Sequence, residues 1–401
     1  MNFHYIIANI FWRKYLKKIF SLLGKKNLIN IKFRHIIIII IIKMSNNINN
    51  LQIDISDSDS DYEHDYSTKK TTVDDQNEVL LSEEHDRMTV YPIRFPEIWK
   101  WYKKQEAAMW FVEEVDLSKD MKDWVNLKEN ERIFIKNVLA FFAASDTIVN
   151  INLLERFMKE IKPTEAKYAY GSQYAMENRH SEAYSLMIDT YVKDPAEKRK
   201  LFNAVEEISC VKKKADWAFK WIESDAPFRQ RLFAFCIIEG VFFSGAFAAI
   251  FWLKDKNVMP GLCKYNKFIS RDEGMHVDFA VFLYSMLNVK MEESVAHNIM
   301  REAVEIEKEF ITESIPCRLL GLNSDSMSRY IEFIADKLLQ DLGYGKIFKI
   351  KKNPLDFMEK ISMQTKENMF EGRVDEYQNS HIFDNRTKDE DDNDFYISND
   401  F

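Results

Sequence analysis

The chain has 401 residues, enough for one large domain or two ordinary ones, and 46% of them are apolar, so a sizeable core is expected. Its formal net charge of −8 argues against a nucleic-acid-binding groove, and four scattered cysteines without a CxxC pair argue against a zinc ribbon or a disulfide framework. The low content of Gly (10) and Pro (8) favours long helices over a turn-rich β fold, and the cysteine usage fits a reducing compartment such as the cytoplasm.

The N-terminal residues 1–43 differ in composition from the rest of the chain. They contain nine Lys and Arg, no Asp or Glu, and seven consecutive Ile at 36–42. That Ile run is too short to span a bilayer, and basic residues interrupt the apolar stretches, which is not typical of a signal peptide. We expect translation to start at Met44, with a membrane or organelle-targeting segment as the alternative. Residues 44–88 are polar and acidic and predict a disordered tail.

Residues 89–350 show a helical pattern almost throughout and predict one all-α domain. Four predicted helices matter most: 129–159, 164–192, 228–253 and 262–287. The third contains Leu232–Leu253, 22 residues with Glu239 as the one charge. This stretch could be a transmembrane helix or the buried central helix of a bundle. Because the other helices are amphipathic and well charged, we favour a soluble bundle without stable membrane insertion.

Two Glu-His pairs lie on predicted helices. Glu177 precedes His180 by three residues, and Glu273 precedes His276 by three, so the members of each pair share a helix face. A single pair of this kind is as readily explained by a core His that a nearby Glu satisfies. The location of both pairs inside apolar helical stretches favours a common site.

Two further carboxylates, Asp146 and Glu239, lie in mid-helix among apolar neighbours, with no Lys or Arg three or four residues away. A buried carboxylate without a partner costs several kcal/mol, so something else must neutralise them. Two divalent metal ions would balance four carboxylates. Lone acids on two helices and Glu-x-x-His on two others are the ligand pattern of ferritin-like di-iron or di-manganese bundles. Oxygen ligands with one imidazole per metal suit iron or manganese.

Tyr184 is the residue that discriminates among such proteins. It follows Glu177 by seven residues and His180 by four, so it projects from the same face of the helix, one turn beyond the His. The spacing alone allows an ordinary core tyrosine as well as a redox-active one.

From about residue 92 to 377 the chain resembles the small, radical-generating subunit of class I ribonucleotide reductase, in its eukaryotic-type form. The stretches that carry the resemblance are EEVDLSKD, LAFFAASD, YGSQYAMENRHSEAYSLMIDTYVKDP, CVKKKADWA, EGVFFSGAFAAIFWLK, ISRDEGMH, YIEFIADKLL and NPLDFME. They are long and occur in the family's order. The chain departs from the family's pattern at Thr147, Ile151 and Arg179, none of which is a predicted ligand. We expect Arg179 to point away from the metals.

The resemblance implies a ferritin-like di-iron carboxylate bundle that forms a homodimer and reacts with O2. It implies two iron ions in each subunit, with manganese as the alternative metal. Their ligands would be Asp146, Glu177, His180, Glu239, Glu273 and His276.

The resemblance also implies that Tyr184 is oxidised to a stable radical, in an apolar pocket formed by Phe243 and Phe247. Trp110 would be the buried relay tryptophan, and Asp272 would link it to a ligand His.

The C-terminal segment, residues 351–401, would connect the two subunits. Tyr377 would pass the radical to a separate large subunit, which reduces ribonucleotides to deoxyribonucleotides. A flexible acidic tail ending at Phe401 would dock into that subunit. The alternatives are a di-iron oxygenase or ferroxidase that exports no radical, and a helical scaffold whose acids are only structural.

Overall fold

The computed structural model describes residues 75, 77–314 and 324–358. Residues 1–43, residues 44–74 of the predicted acidic tail, Tyr377 and Phe401 lie outside the described residues. All the described residues belong to one compact unit. Within the described ranges every regular element is helical, which confirms the predicted all-α class.

Thirteen α-helices are described, together with short 3₁₀ turns and one π-helical turn at Leu153–Phe157. The α-helices are α1 (Pro96–Ala107), α2 (Asp120–Asn126), α3 (Glu129–Asn152), α4 (Met158–Glu160), α5 (Thr164–Tyr191), α6 (Pro195–Phe202), α7 (Ala204–Glu207), α8 (Ser209–Ile222), α9 (Phe228–Gly240), α10 (Ser244–Asp255), α11 (Pro260–Ser285), α12 (Glu293–Ser314) and α13 (Ser324–Asp341).

The bundle places the site-bearing helices side by side. Helix α3 packs along α5, α5 also packs against α1 and α11, and α9 packs along α11. Two stretches, Glu129–Glu160 and Phe228–Asp255, are long and apolar enough to cross a membrane by composition alone. In the second, 94% of the most apolar window is buried inside the protein. Its hydrophobicity is therefore that of a helix covered on all sides by other helices.

The predicted single helix 228–253 is in fact two helices, so that prediction is wrong in one respect. Helix α9 ends at Gly240, and α10 begins at Ser244. At the break, the amides of Val241 and Phe242 both point to the carbonyl of Ile237, at 2.8 and 3.3 Å. The break separates Glu239 from the two phenylalanines of the predicted radical pocket.

Residues 77–88 belong to the packed body, which corrects the prediction of a disordered tail through residue 88. Leu80 is fully buried, and its carbonyl accepts a hydrogen bond from the amide of Lys162 at 2.8 Å. The carboxylate of Glu78 accepts hydrogen bonds from the amides of Asn288 and Val289 at 2.8 and 3.1 Å. The segment 77–88 has a polar sequence because few of its residues, such as Glu78 and Leu80, are buried. The other predicted domain boundaries stay predictions.

Asp120 fixes the start of α11, the helix that carries Glu273 and His276. Its buried carboxylate accepts hydrogen bonds from the amides of Gly261 and Leu262 at 2.7 and 2.8 Å, and from the Tyr191 hydroxyl at 2.6 Å. These bonds satisfy amides of the first turn, which have no partner within the helix.

We expect Asp120→Ala to lower the free energy of unfolding by about 3 kcal/mol, because it leaves two buried amides and a hydroxyl without an acceptor. Urea denaturation followed by circular dichroism measures this. Asp116→Ala is the matched control, because Asp116 is exposed and its carboxylate, among the residues that the structure describes, bonds to Ser118 in the loop before α2. Equal effects of the two substitutions would contradict the assigned role of Asp120.

Candidate metal centre

Four helices bring the six predicted ligands together. One group contains Asp146, Glu177 and His180, and the other contains Glu177, Glu239, Glu273 and His276. Within each group the candidate ligand atoms all lie within 4.8 Å of one another. All six side chains are buried. Helix α3 contributes Asp146, α5 the first Glu-His pair, α9 Glu239, and α11 the second pair.

His180 uses its two ring nitrogens for different partners. Nδ1 lies 3.1 Å from Glu177 Oε2 and 3.0 Å from Glu273 Oε1, so this nitrogen faces the carboxylates. Nε2 lies 3.2 Å from Asp272 Oδ2, on the opposite side of the ring. One nitrogen directed to the site and the other held by a carboxylate is the usual arrangement of a metal-binding histidine.

His276 faces the same carboxylates from the other side. Its Nδ1 lies 2.8 Å from Glu177 Oε1 and 3.4 Å from Glu273 Oε2. The Glu177 carboxylate therefore has one oxygen beside each imidazole, which is the geometry of a residue able to bridge two ions. Gln173, one turn before Glu177, donates from Nε2 to Glu239 Oε1 at 3.1 Å.

The pKa values of the buried acids in the candidate site are shifted in different directions. Burial raises the pKa of Asp146 and of Glu239 well above the usual range, and neighbouring carboxylates, Glu177 for Asp146 and Glu273 for Glu239, raise both further. Burial also disfavours the charged form of Glu273, but hydrogen bonds from His180 and His276 outweigh it and lower the pKa of Glu273. Burial alone would lower the pKa of His276, yet Glu177 and Glu273 raise it to about 9.

These residues fit a di-metal site on the evidence of their unsatisfied atoms. Asp146 Oδ2 and Glu239 Oε2 are buried and have no hydrogen-bond partner among the described residues. Such orphaned polar atoms are costly unless an ion or water satisfies them. A bound cation would replace the protons now needed to balance the carboxylates. Carboxylate oxygens with one imidazole per group suit iron or manganese.

Tyr184 lies against an aromatic cluster of Phe142, Phe243 and Phe247, called the aromatic cage below. It is 2% exposed, and its ring stacks on Phe142 with centroids 4.6 Å apart. The ring centroid of Phe142 lies 5.9 Å from that of Phe243 and 5.0 Å from that of Phe247, so the two predicted pocket residues pack against Phe142. The Tyr184 hydroxyl has no hydrogen-bond partner among the described residues. Burial raises the pKa of Tyr184 well above its usual value, and the charge of Asp146 adds to this.

Trp110 reaches the candidate site through one carboxylate. Its Nε1–H donates to Asp272 Oδ2 at 2.6 Å, and the same oxygen faces His180 Nε2. Arg271 holds the other oxygen, Oδ1, with Nε at 3.1 Å and Nη2 at 3.0 Å. Hydrogen bonds thus connect Trp110, which follows α1, through Asp272 to the predicted metal ligand His180.

Sequence reasoning missed two residues of the site. Phe142 is the nearest aromatic neighbour of Tyr184, and Gln173 orients Glu239. Both lie four residues before a predicted ligand on the same helix face, and that spacing could have identified them. Arg179 is half-buried. Burial lowers the pKa of its guanidinium while the charge of Asp272 raises it, so the nearby acid is Asp272.

We expect Asp272→Asn to weaken metal binding about 10- to 100-fold, because the amide cannot hold His180 Nε2–H and Trp110 Nε1–H as a carboxylate does. Calorimetric titration of the metal-free protein with Mn(II) measures this. Asp278→Asn serves as the control, since Asp278 lies on the same helix with an exposed side chain. Unchanged affinity in Asp272→Asn would show that Asp272 does not support the site.

The chain matches known proteins over most of its length. The family model described as "Ribonucleotide reductase, small chain" matches residues 87–354. The ribonucleoside-diphosphate reductase small chain of Spisula solidissima is 56% identical over 304 residues, 76% of this chain and 79% of that protein. The subunit M2 of Homo sapiens is 51% identical over 335 residues, 83% and 85% of the two chains.

A solved structure agrees with these matches. The ribonucleotide reductase Rnr4 homodimer from Saccharomyces cerevisiae is 38% identical, with a TM-score of 0.64, and the match covers 72% of this chain and 93% of that one. The similarity to this solved structure indicates the same family as the sequence matches. This chain therefore belongs to the ribonucleotide reductase small-chain family.

Proposed function

We propose that this small subunit of a ribonucleoside-diphosphate reductase binds two iron ions at the candidate metal centre and generates a tyrosyl radical at Tyr184. The observation that carries the proposal is the position of Tyr184, a buried phenol with an unbonded hydroxyl in an aromatic cage next to the carboxylate cluster. Iron bound there would, with O2, supply the oxidising equivalents. The six residues named above are the proposed ligands, and manganese is the alternative metal.

The surroundings of Tyr184 suit a long-lived radical. Because its pKa is raised, the phenol keeps its proton until it is oxidised, so loss of the electron is accompanied by loss of the Oη proton. Tyr184 is 2% exposed and is covered by Phe142, which Phe243 and Phe247 back, so water and soluble reductants are kept from the ring. No donor among the described residues holds the hydroxyl in place.

The connection from Trp110 through Asp272 to His180 supports the proposed exit route for the radical. Asp272 Oδ2 accepts a hydrogen bond from the indole N–H of Trp110 and also faces the imidazole of the proposed ligand His180. An electron can therefore leave the indole while its N–H stays hydrogen-bonded. A ferroxidase or oxygenase has no need of such a connection. In our proposal Tyr377 continues the route to the large subunit.

The partners follow from the same proposal. We infer a cytoplasmic homodimer, in keeping with the homodimeric relative in the solved structure. We also infer that the C-terminal tail ending at Phe401 docks into the large catalytic subunit. A synthetic peptide of the last seven residues, FYISNDF, should compete with the full chain for the large subunit, and a peptide without Phe401 should compete less well.

Electron paramagnetic resonance after addition of Fe(II) and O2 to the metal-free protein tests the proposal. A tyrosyl signal together with two irons per chain is the expected result. A protein that takes up iron and consumes O2 without a tyrosyl signal would be an oxygenase or ferroxidase. A protein that binds no metal would be the structural scaffold.

A further inference from the structure

The break between α9 and α10 lies entirely inside the protein. Val241, Phe242 and Phe243 are each no more than 3% exposed. At such a break the last carbonyls of one helix and the first amides of the next lose their helical partners. In a buried position these groups need partners from elsewhere in the fold.

Lys214 of α8 meets the carbonyl end of the break. Its side chain is 2% exposed, and its ammonium group donates a hydrogen bond to the carbonyl of Phe242. The same Nζ lies 3.5 Å from the ring centroid of Phe141 and 4.0 Å from that of Phe310. The cation is therefore held at the C-terminal end of α9, where the helix dipole favours positive charge.

Glu307 of α12 meets the amide end of the break. Its side chain is fully buried, and its Oε2 lies 2.6 Å from Lys214 Nζ. The backbone amide of Gly245, in the first turn of α10, stabilises the charged form of this carboxylate. A Cβ at Gly245 would lie 2.6 Å from Ile311 Cγ1 and 2.8 Å from Glu307 Oε1, so the glycine leaves room for both side chains and the carboxylate lies close to the α10 backbone. An anion at the N-terminal end of a helix is favoured by the dipole.

Such a pair is expensive to bury. Burial raises the pKa of Glu307 to about 7 and lowers the pKa of Lys214 to about 8, because the core disfavours the charged form of each group. Apolar residues of similar size often stabilise a protein as well as a buried ion pair does. The position of this pair, with one charge at each helix end, indicates a geometric role.

We propose that the Lys214–Glu307 pair is a positioning device that holds the break between α9 and α10, and thereby sets Glu239 relative to Phe243 and Phe247. Glu239 lies three residues before Phe242, whose carbonyl Lys214 binds, and Phe247 lies two residues after Gly245. For its consequences at the metal and the radical, the proposal rests on the proposed function. Its structural part stands without a metal.

The test uses the full-length double variant Lys214→Met/Glu307→Gln, which removes both charges and preserves volume. The control is Lys220→Met/Glu302→Gln, an exposed ion pair that joins the same two helices at 2.9 Å. Hydrogen–deuterium exchange of the metal-free proteins is measured by mass spectrometry. In the double variant, amides of residues 241–247 should exchange at least about tenfold faster while those of α11 do not change. The control should match the unmodified protein.

The iron-loaded proteins provide a second measurement. At equal iron content, the double variant should lose its tyrosyl signal severalfold faster, or show an altered signal shape, and the control should do neither. If the double variant fails to fold, Glu307→Gln alone is used, which keeps the bond from Lys214 to Phe242. It should show a smaller increase in exchange at the same amides.

Unchanged exchange at residues 241–247 in a folded variant would overturn the proposal. So would accelerated exchange throughout the bundle, since that indicates general destabilisation. If the unmodified protein forms no radical, the proposed function fails, and the exchange experiment still decides the role of the pair.

Discussion

Tyr184→Phe should abolish the tyrosyl signal and leave the iron content unchanged. The substitution removes one hydroxyl that makes no hydrogen bond within the described structure, so the cage and the six proposed ligands keep their positions. Without an oxidisable phenol, ribonucleotide reduction with the large subunit should fall by about 10³-fold or more, as for loss of an essential reacting group. Electron paramagnetic resonance, iron analysis and a coupled reductase assay measure the three quantities.

Tyr170→Phe is the matched control for this experiment. Tyr170 lies on the same helix, is fully buried, and also has a hydroxyl without a partner among the described residues. Its ring packs on Phe157 and Phe279, away from the cage. It should keep the signal. If the radical persists in Tyr184→Phe and disappears in Tyr170→Phe, our proposal has placed it on the wrong tyrosine.

The cluster of the six ligand candidates could be predicted because buried charge is informative. Asp146 and Glu239 lie in apolar stretches without a nearby cation, and such acids need a partner from another helix. The helical period then places both Glu-His pairs on inward faces. The identity of the partner helices does not follow from spacing. It depends on packing across long separations, such as the 162 residues between Trp110 and Asp272.

The break after α9 shows where local sequence information ends. The run Leu232–Leu253 has one charge and no proline, and its two glycines, Gly240 and Gly245, are only a weak local signal for an interruption. The groups that meet the broken ends, Lys214 and Glu307, come from helices outside the run. In the sequence each reads as one charge among many on an amphipathic helix. Only their burial in the folded protein distinguishes them.

In the metal-free protein, the buried carboxylates of the proposed metal site should lower the free energy of unfolding. Burial and the charges of Glu273 and Glu177 raise the pKa of Glu239, so its contribution to stability is greatest below its unfolded pKa and is lost as the pH rises through the raised folded value. Glu239→Gln removes that dependence and still accepts from Gln173. We expect it to stabilise the metal-free protein at pH 7 by about 1–3 kcal/mol.

The same substitution should have the opposite effect when metal is present. An ion that binds only the folded state stabilises it in proportion to the logarithm of concentration over Kd, and loss of a carboxylate ligand raises Kd. Thermal unfolding with and without Mn(II) should therefore show a higher Tm for metal-free Glu239→Gln and a smaller increase on metal addition. Glu302→Gln, which changes an exposed acid on α12, should alter the free energy of unfolding by no more than about 0.5 kcal/mol, with or without Mn(II). A lower Tm of metal-free Glu239→Gln would mean that the carboxylate stabilises the bundle by itself, and that its neighbours satisfy it without an ion.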